Sequence, residues 1–110
     1  MNIKEIAGKL GYETVTMPCP EAEVTGGYAG DLLSWVMARA SRGNIWVTVM
    51  TNSNIVAVAT LAEVSAIVIA DGEALPQSIA ALAEEHNINV LRSEKPAFET
   101  SVEIGKLIGG

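Results

Sequence analysis

The sequence predicts a small α/β domain of three layers, in which helices cover both faces of a mostly parallel four-stranded sheet. Two observations predict it. Short apolar segments of strand length alternate, along the whole chain, with segments whose apolar residues recur every three or four positions. The two clearest strand segments, 45–50 and 66–70, are also apolar on both sides of the strand. Such strands are typical of parallel sheets that are covered by helices on both faces.

The first half of the chain contains one predicted strand between two predicted helices. The apolar spacing predicts a helix over residues 2–10, and Gly11 is placed as its stop. Residues 12–17 contain β-branched side chains and form the first predicted strand. The glycine-rich segment 25–31 is interpreted as a tight turn, and an apolar helix is expected directly after it, over 31–40.

The second half repeats a strand-and-helix alternation. Its predicted elements, in order, are a strand at 45–50, a helix at 55–64, a strand at 66–70, a helix at 76–86, a strand at 89–91 and a terminal helix that begins at Pro96. Each helix then serves as the crossover between neighbouring parallel strands.

The apolar composition predicts a homodimer. At 110 residues the chain is long enough for one domain, residues 1–110, yet 49% of its residues are hydrophobic. A domain of this size has too little interior to bury so much apolar surface. The helices at 31–40 and 55–64 are almost wholly apolar, so each is covered either by a partner subunit or by another part of the same chain. The residues expected at a dimer interface are Leu32, Leu33, Trp35, Val36, Ile55 and Val58.

Charge and cysteine content exclude several classes of partner. The net charge is −6, from 13 acidic and 7 basic residues, and the basic residues are scattered. Nucleic acids and anionic membranes require clustered cations, so neither is an expected partner. The sequence has no segment that resembles a signal peptide or membrane span, and Cys19 is the single cysteine. We therefore expect a cytoplasmic protein without a disulfide or a cysteine-based metal site.

Three segments are candidate ligand contacts. The first is the glycine turn, which reads G-G-x-x-G and therefore matches neither a dinucleotide-binding loop nor a P-loop. The sequence leaves two interpretations of this segment open: a structural turn, or a turn that binds an anion. The other two segments follow predicted strands, where ligands of parallel sheets bind, although helix capping and a simple turn are the alternatives. The candidate residues are Gly26, Gly27, Gly30, Thr51, Asn52, Ser53, Asn54, Asp71 and Gly72.

The sequence contains no recognisable catalytic constellation. His86 is the single histidine and falls late in a predicted helix, where it can interact with the terminal carbonyl groups. No spacing of residues suggests a triad, a metal site or a cofactor. A small enzyme would have to rely on Asp31, Thr51, Asn52 or Asp71, together with a residue from a partner subunit.

Several stretches resemble the DRTGG domain family over nearly the whole chain. The matching stretches are Gly26 to Ser34, Thr51 to Ala59, Ala66 to Gly72, Val90 to Ser93 and Phe98 to Thr100. The five letters that name the family do not occur together here, and Ala70-Asp71-Gly72 stands where the family tends to have Thr-Gly-Gly. The resemblance implies an accessory module of the kind found beside CBS domains in regulated pyrophosphatases. It also implies a fold similar to the amino-terminal domain of HPr kinase and a tendency to dimerise.

The sequence therefore leads to two principal functional hypotheses. The first is a non-enzymatic regulatory module that dimerises, binds a small anionic or nucleotide ligand and modulates a partner protein. The alternative is a ligand-free scaffold that uses its acidic surface or apolar helices to hold a metabolic or redox enzyme.

Overall fold

A computed structural model describes residues 1–109, which form five helices and five strands. In chain order these are α1 (Ile3–Leu10), β1 (Glu13–Thr16), β2 (Gly26–Ala29), α2 (Leu33–Arg39), β3 (Asn44–Thr48), α3 (Asn54–Ala62), β4 (Ala66–Ile69), α4 (Gln77–Glu85), β5 (Val90–Arg92) and α5 (Ala97–Gly109). All five predicted helices and all four predicted strands are present.

The strands form one sheet in the order β1-β5-β4-β3-β2. Strands β2 to β5 are parallel to one another, and β1 lies antiparallel to β5 at one edge. The predicted fold class, a mostly parallel sheet with helices on both faces, is confirmed.

The prediction of four strands and of a tight turn at the glycines was wrong. Residues Gly26–Ala29 form the edge strand β2, with Gly26 opposite Asn44 and Ala29 opposite Val47 of β3. Neither Gly26 nor Gly27 has a positive φ. Glycine has low intrinsic preference for strands and no side chain to give an alternating pattern. The pairing with β3 therefore fixes this strand, and a local sequence pattern does not reveal it.

Two apolar cores lie on the two faces of the sheet. On one face Trp46, Ile67 and Val90 pack against α2, α3 and α4. On the other face Ile45 and Val68 pack against α1 and α5. Because successive side chains of a strand point to opposite faces, a strand buried on both sides is apolar throughout. This is the physical basis of the pattern in β3 and β4.

A buried amide ties the segment after β1 to the centre of the fold. Asn89 is 1% exposed, and its Nδ2 donates hydrogen bonds to the carbonyl oxygens of Cys19 at 2.7 Å and Ser65 at 3.0 Å. Its Oδ1 accepts a bond from the Cys19 amide at 2.9 Å. All of the polar atoms of this side chain are thereby satisfied without water.

None of the helices within residues 1–109 combines the length and the apolar character that crossing a membrane requires.

Candidate ligand site at the carboxyl ends of the strands

The topology creates a crevice between β4 and β5. The helices that follow β2, β3 and β4 all pack on one face of the sheet, whereas α5, which follows β5, packs on the other. The chain therefore leaves the neighbouring strands β4 and β5 toward opposite faces. In open parallel sheets, ligands bind outside the carboxyl ends of the strands at such a switch point.

Arg92, the last residue of β5, fills this crevice. Its Nε donates hydrogen bonds to the carbonyl oxygens of Gly72 and Glu73, both at 3.1 Å, in the loop between β4 and α4. Its Nη1 lies 3.2 Å from Oε1 of Glu94 and 3.4 Å from Oε1 of Glu13. The guanidinium thus joins the loop after β4 to two carboxylates.

The loop between β4 and α4 has an unusual backbone. Asp71 and Gly72 both adopt the left-handed conformation, with φ of 60° and 63°. Their amides donate bonds of 2.8 Å to the carbonyl oxygens of Lys95 and Ser93, respectively, which hold this loop against the segment after β5. The positive φ of Gly72 favours glycine, and a Cβ atom there would lie 2.6 Å from Oε2 of Glu94, whose exposed side chain would have to move.

Two surface grooves meet at Arg92 and Glu13, which line both of them. The larger groove, of about 560 Å³, runs between β1 and α4 and is also lined by Leu75 and Glu84. The smaller groove, of about 320 Å³, lies on the opposite side and is also lined by Lys95. Both volumes fall within the range typical of small-molecule sites, the smaller groove at its lower end.

Tyr12, Glu103 and Lys95 form a hydrogen-bonded group on the wall of the smaller groove, in which each side chain is bonded to another member. The Tyr12 hydroxyl donates to Oε1 of Glu103 at 2.9 Å, and Nζ of Lys95 pairs with the other oxygen of that carboxylate. Burial, reinforced by Glu103, raises the pKa of Tyr12 well above its usual range. The hydrogen bond from Lys95 lowers the pKa of Glu103 and raises that of Lys95. At neutral pH, Tyr12 is therefore protonated and Glu103 ionised.

The polar segment Thr51–Asn54 lies where the sequence predicts it, between the end of β3 and α3. The alternative of helix capping is not observed at Ser53, which has helical φ and ψ and makes no capping hydrogen bond with its side chain. A capping residue needs an extended backbone to turn its oxygen toward the helix. Asn52 instead accepts a 3.0 Å bond from the Asn54 amide through its Oδ1.

The predicted glycine site is divided by the fold. Gly30 follows β2 at the carboxyl edge, and its carbonyl oxygen accepts a 2.9 Å hydrogen bond from Nε1 of Trp46. Asp31 bonds the Thr48 hydroxyl there, at 2.6 Å. Gly26 and Gly27 belong to the outermost strand, β2, and Gly26 is its first residue, far from the carboxyl ends of the strands. The structure thus brings Asp71 and Gly72 together with Arg92 and Glu94, but not with Gly26.

Sequence reasoning did not include Arg92 among the candidate ligand contacts. In the sequence, Arg92 is a single basic residue at the end of the last short strand, one residue before the buried Ser93. Its partners, Gly72 and Glu73, precede it by 20 and 19 positions, so only the pairing of β4 with β5 brings them together.

The predicted interface residues have different environments. Val36 and Ile55 are completely buried within the chain and Val58 is 8% exposed, so these three side chains belong to the core. The reason is that α2 and α3 pack against each other and against the sheet. Leu33 is partly buried, whereas Leu32 and Trp35 are 58% and 50% exposed.

Within residues 1–109, no three His, Cys, Asp or Glu side chains are grouped in a way that could hold a metal ion. His86 is exposed at the end of α4, and the Cys19 sulfur lies 3.6 Å from the Asn87 carbonyl oxygen.

The fold and the crevice define a three-layer α/β domain with a switch point between β4 and β5. The model of the DRTGG domain matches residues 29–107, and the chain belongs to this family. The match begins at the last residue of β2, so α1 and β1 lie outside it.

The fold is also similar to a solved structure. This is the crystal structure of the CBS and DRTGG domains of the regulatory region of Clostridium perfringens pyrophosphatase, complexed with the activator diadenosine tetraphosphate. The TM-score is 0.71 at 20% sequence identity, and the similarity covers 94% of this chain but 45% of that one. This chain thus spans less than half of the length of that structure, and the similarity concerns the fold. No curated protein sequence matches this chain.

Proposed function

We propose that the chain is a non-enzymatic regulatory module that binds a small anionic or nucleotide ligand and acts on a partner protein as a homodimer. The observation that carries the proposal is the crevice between β4 and β5, where a fixed arginine lies between two grooves. Membership of the DRTGG family and the similarity to the regulatory region of a pyrophosphatase complexed with a dinucleotide activator support it.

The ligand is expected at the crevice because of the local distribution of cations. Arg92 and Lys95 lie at this edge of a protein whose net charge is −6. An acidic protein attracts anions poorly at long range, so a site for an anion depends on specific donors close to the ligand. Arginine is suited to this because its planar guanidinium binds phosphate and carboxylate groups in a defined geometry.

Two surface features support the homodimer. Leu32 and Trp35 expose apolar side chains on the helix that follows the edge strand. In that strand, a Cβ on Gly27 would make an ordinary contact of 3.5 Å with the Ile45 carbonyl oxygen, so the chain itself does not require glycine there. Glycine within a strand often marks the close approach of another backbone. We therefore infer that the partner subunit contacts β2 and α2.

A thermal-shift and calorimetric panel tests ligand binding. The panel contains AMP, ADP, ATP, diadenosine tetraphosphate, pyrophosphate and phosphate, with adenosine as the uncharged control. Binding of at least one anion at millimolar concentration or below is expected, with a rise in melting temperature that grows with concentration. If no member binds, the ligand component of the proposal fails.

Light scattering coupled to size exclusion tests the dimer. The expected mass is twice the 11.5 kDa of the chain at micromolar concentration. A stable monomer at that concentration would contradict the homodimer and leave the ligand proposal standing.

The ligand-free scaffold remains a second candidate because α5 also presents apolar side chains. Phe98 is 79% exposed and Val102 38% exposed. A pull-down from native lysate with wild-type protein and a Phe98→Ser variant distinguishes the candidates. A scaffold retains one defined partner in the absence of any small molecule and loses it when Phe98 is replaced.

A further inference from the structure

We propose that Arg92 is the oxyanion-binding residue of the crevice and that Glu94 occupies it in the ligand-free chain, so that a phosphate-bearing ligand binds by replacing the Glu94 carboxylate. The inference rests on the proposed function for the claim that the chain takes an anionic ligand. It adds the residue that binds the anion and the residue that competes with it.

The guanidinium of Arg92 is held in place by backbone carbonyl groups, and its two ionic partners are exposed carboxylates. Its Nε bonds two backbone carbonyl oxygens, of Gly72 and Glu73, and this fixes the plane of the group. Its Nη2 also donates a hydrogen bond to the Gly72 carbonyl oxygen, whereas Nη1 faces the carboxylates of Glu94 and Glu13. The arginine side chain is 23% exposed, so it is already ordered before any ligand arrives. A fixed donor loses little conformational freedom on binding.

The carboxylates that face Arg92 are weakly held. Glu94 and Glu13 are 79% and 61% exposed, and their oxygens lie 3.2 Å and 3.4 Å from Nη1. Strong bonds between a guanidinium and a carboxylate are shorter, about 2.7–2.9 Å. Exposed ion pairs of this kind contribute little to stability. A phosphate, with more acceptor oxygens and more charge, is therefore able to replace Glu94 at small cost.

The position of Glu94 shows which part of the site would become accessible if its side chain moved away. Its Oε2 lies above Gly72, at 2.6 Å from the place of a Cβ atom, and its Oε1 faces Arg92. The side chain thus covers the point where the loop after β4 meets the guanidinium. Glu94 lines the smaller groove together with Arg92, so its movement would widen that groove beside Nη1 of Arg92.

The charges favour approach of the ligand from the smaller groove. That groove is lined by Lys95, whose side chain is 52% exposed, and by the buried Ser93. The larger groove contributes Glu84 in addition to Glu13, and no cation other than Arg92. Once Glu94 has moved away, an anion in the smaller groove faces Arg92 and Lys95 against the carboxylate of Glu13, although Lys95 is shared with Glu103. In the larger groove it faces Arg92 alone against two carboxylates.

The test compares two ion pairs in the same protein. Arg92 with Glu94 is the proposed site, and Arg42 with Glu63, whose Nε and Oε2 lie 3.3 Å apart on the surface, is the control pair. The variants are Glu94→Gln and Arg92→Gln, matched by Glu63→Gln and Arg42→Gln, so that each comparison has the same change of net charge. The probes are pyrophosphate, ADP and, as the uncharged control, adenosine. Dissociation constants are measured by calorimetry in low-chloride buffer.

Glu94→Gln is expected to bind pyrophosphate about two- to fivefold more tightly than wild type, because it removes a competitor that forms a weak exposed pair. Arg92→Gln is expected to bind at least about tenfold more weakly, because it removes bonds from a charged donor. The control variants should follow wild type, and adenosine should not bind. Amide chemical shifts of residues 71–73 and 92–95 should move on titration. If ADP binds and pyrophosphate does not, the ligand is a nucleotide.

Circular dichroism shows whether the Arg92→Gln protein folds. If it does not fold, the tighter binding of pyrophosphate by Glu94→Gln is the result that decides the inference. Equal effects of Glu94→Gln and Glu63→Gln, or an unchanged affinity in Glu94→Gln, would overturn it. If wild type binds pyrophosphate or ADP but is indifferent to both substitutions in the crevice, the inference fails and the proposed function stands. If neither wild type nor Glu94→Gln binds either anion, the inference fails. The proposed function then depends on the remaining members of the thermal-shift and calorimetric panel.

Discussion

The hydroxyl group of Tyr12 donates a 2.9 Å hydrogen bond to Glu103, 91 positions later in the chain. This bond joins the segment between α1 and β1 to the middle of α5, and Lys95 holds the same carboxylate from the loop before α5. The contact closes one wall of the smaller groove. It therefore links the stability of the α1 and α5 layer to the shape of the candidate site.

Tyr12→Phe removes the hydrogen bond and keeps the ring. We expect the free energy of unfolding to fall by about 1–2 kcal/mol, somewhat less than the loss of a fully buried bond to a charged group, because this bond is partly buried. Urea denaturation at pH 7 measures the change. Tyr28→Phe is the matched control, and it should change the stability by less than Tyr12→Phe does.

The same bond predicts a dependence of stability on alkaline pH. The pKa of Tyr12 is raised in the folded protein above the value of 10.0 of an unperturbed tyrosine. The neutral hydroxyl is thus favoured by folding, and its contribution is complete below pH 10 and is lost as the pH rises above it. Wild type should therefore lose stability above pH 10 more steeply than Tyr12→Phe does. Parallel curves for the two proteins would contradict the assignment.

Gly72→Ala should destabilise the protein by about 1–2 kcal/mol, because alanine resists the left-handed conformation that φ of 63° requires. The new Cβ would also meet Oε2 of Glu94 at 2.6 Å. Replacing Glu94 by alanine in the same chain should recover the steric part and not the conformational part. Gly27→Ala is the control, since its φ is not positive and its Cβ has room. Thermal unfolding of the four proteins measures the effects.

Trp35 and Val36 are neighbours in α2, and their replacement should affect different properties, the proposed dimer and the stability of the fold, respectively. Val36 is completely buried, so Val36→Ala should lower the free energy of unfolding by about 1.5–3 kcal/mol. Trp35 is 50% exposed and its ring stacks on the Arg39 guanidinium at 3.8 Å. Trp35→Gln should leave the fold intact and weaken the proposed dimer. Sedimentation of both variants separates the two effects, and an unchanged dimer in folded Trp35→Gln would remove α2 from the interface.

The sequence predicts the elements with strong side-chain patterns and misses the features that depend on pairing. β3 and β4 are apolar on both sides, and the helices have helical spacing, so all were predicted correctly. β2 was missed because Gly26 and Gly27 carry no side chains, and the hydrogen bonds to β3 define the strand. The carboxyl-end position of Asp71 and Gly72 was predictable from the strand before them. Their contact with Arg92 was not, because it depends on the order of strands in the sheet.

Asn89→Ala tests whether the buried amide fixes the segment that follows β1. Asn89 makes three hydrogen bonds, two of them with the backbone of Cys19 and one with Ser65. Alanine would leave the Cys19 amide and the Ser65 carbonyl group without this partner, whereas the Cys19 carbonyl group still accepts a 3.2 Å bond from the Ala22 amide. A buried group left unsatisfied costs about 1–3 kcal/mol, so we expect a loss of about 2 kcal/mol or more. The Cys19 thiol, which is half-buried in the wild type, should at the same time react faster with a thiol reagent. Asn54→Ala is the control, because its side chain is exposed and its φ is not positive. A loss of stability without faster thiol reaction would mean that Asn89 supports the core near Ser65 and leaves the Cys19 segment in place.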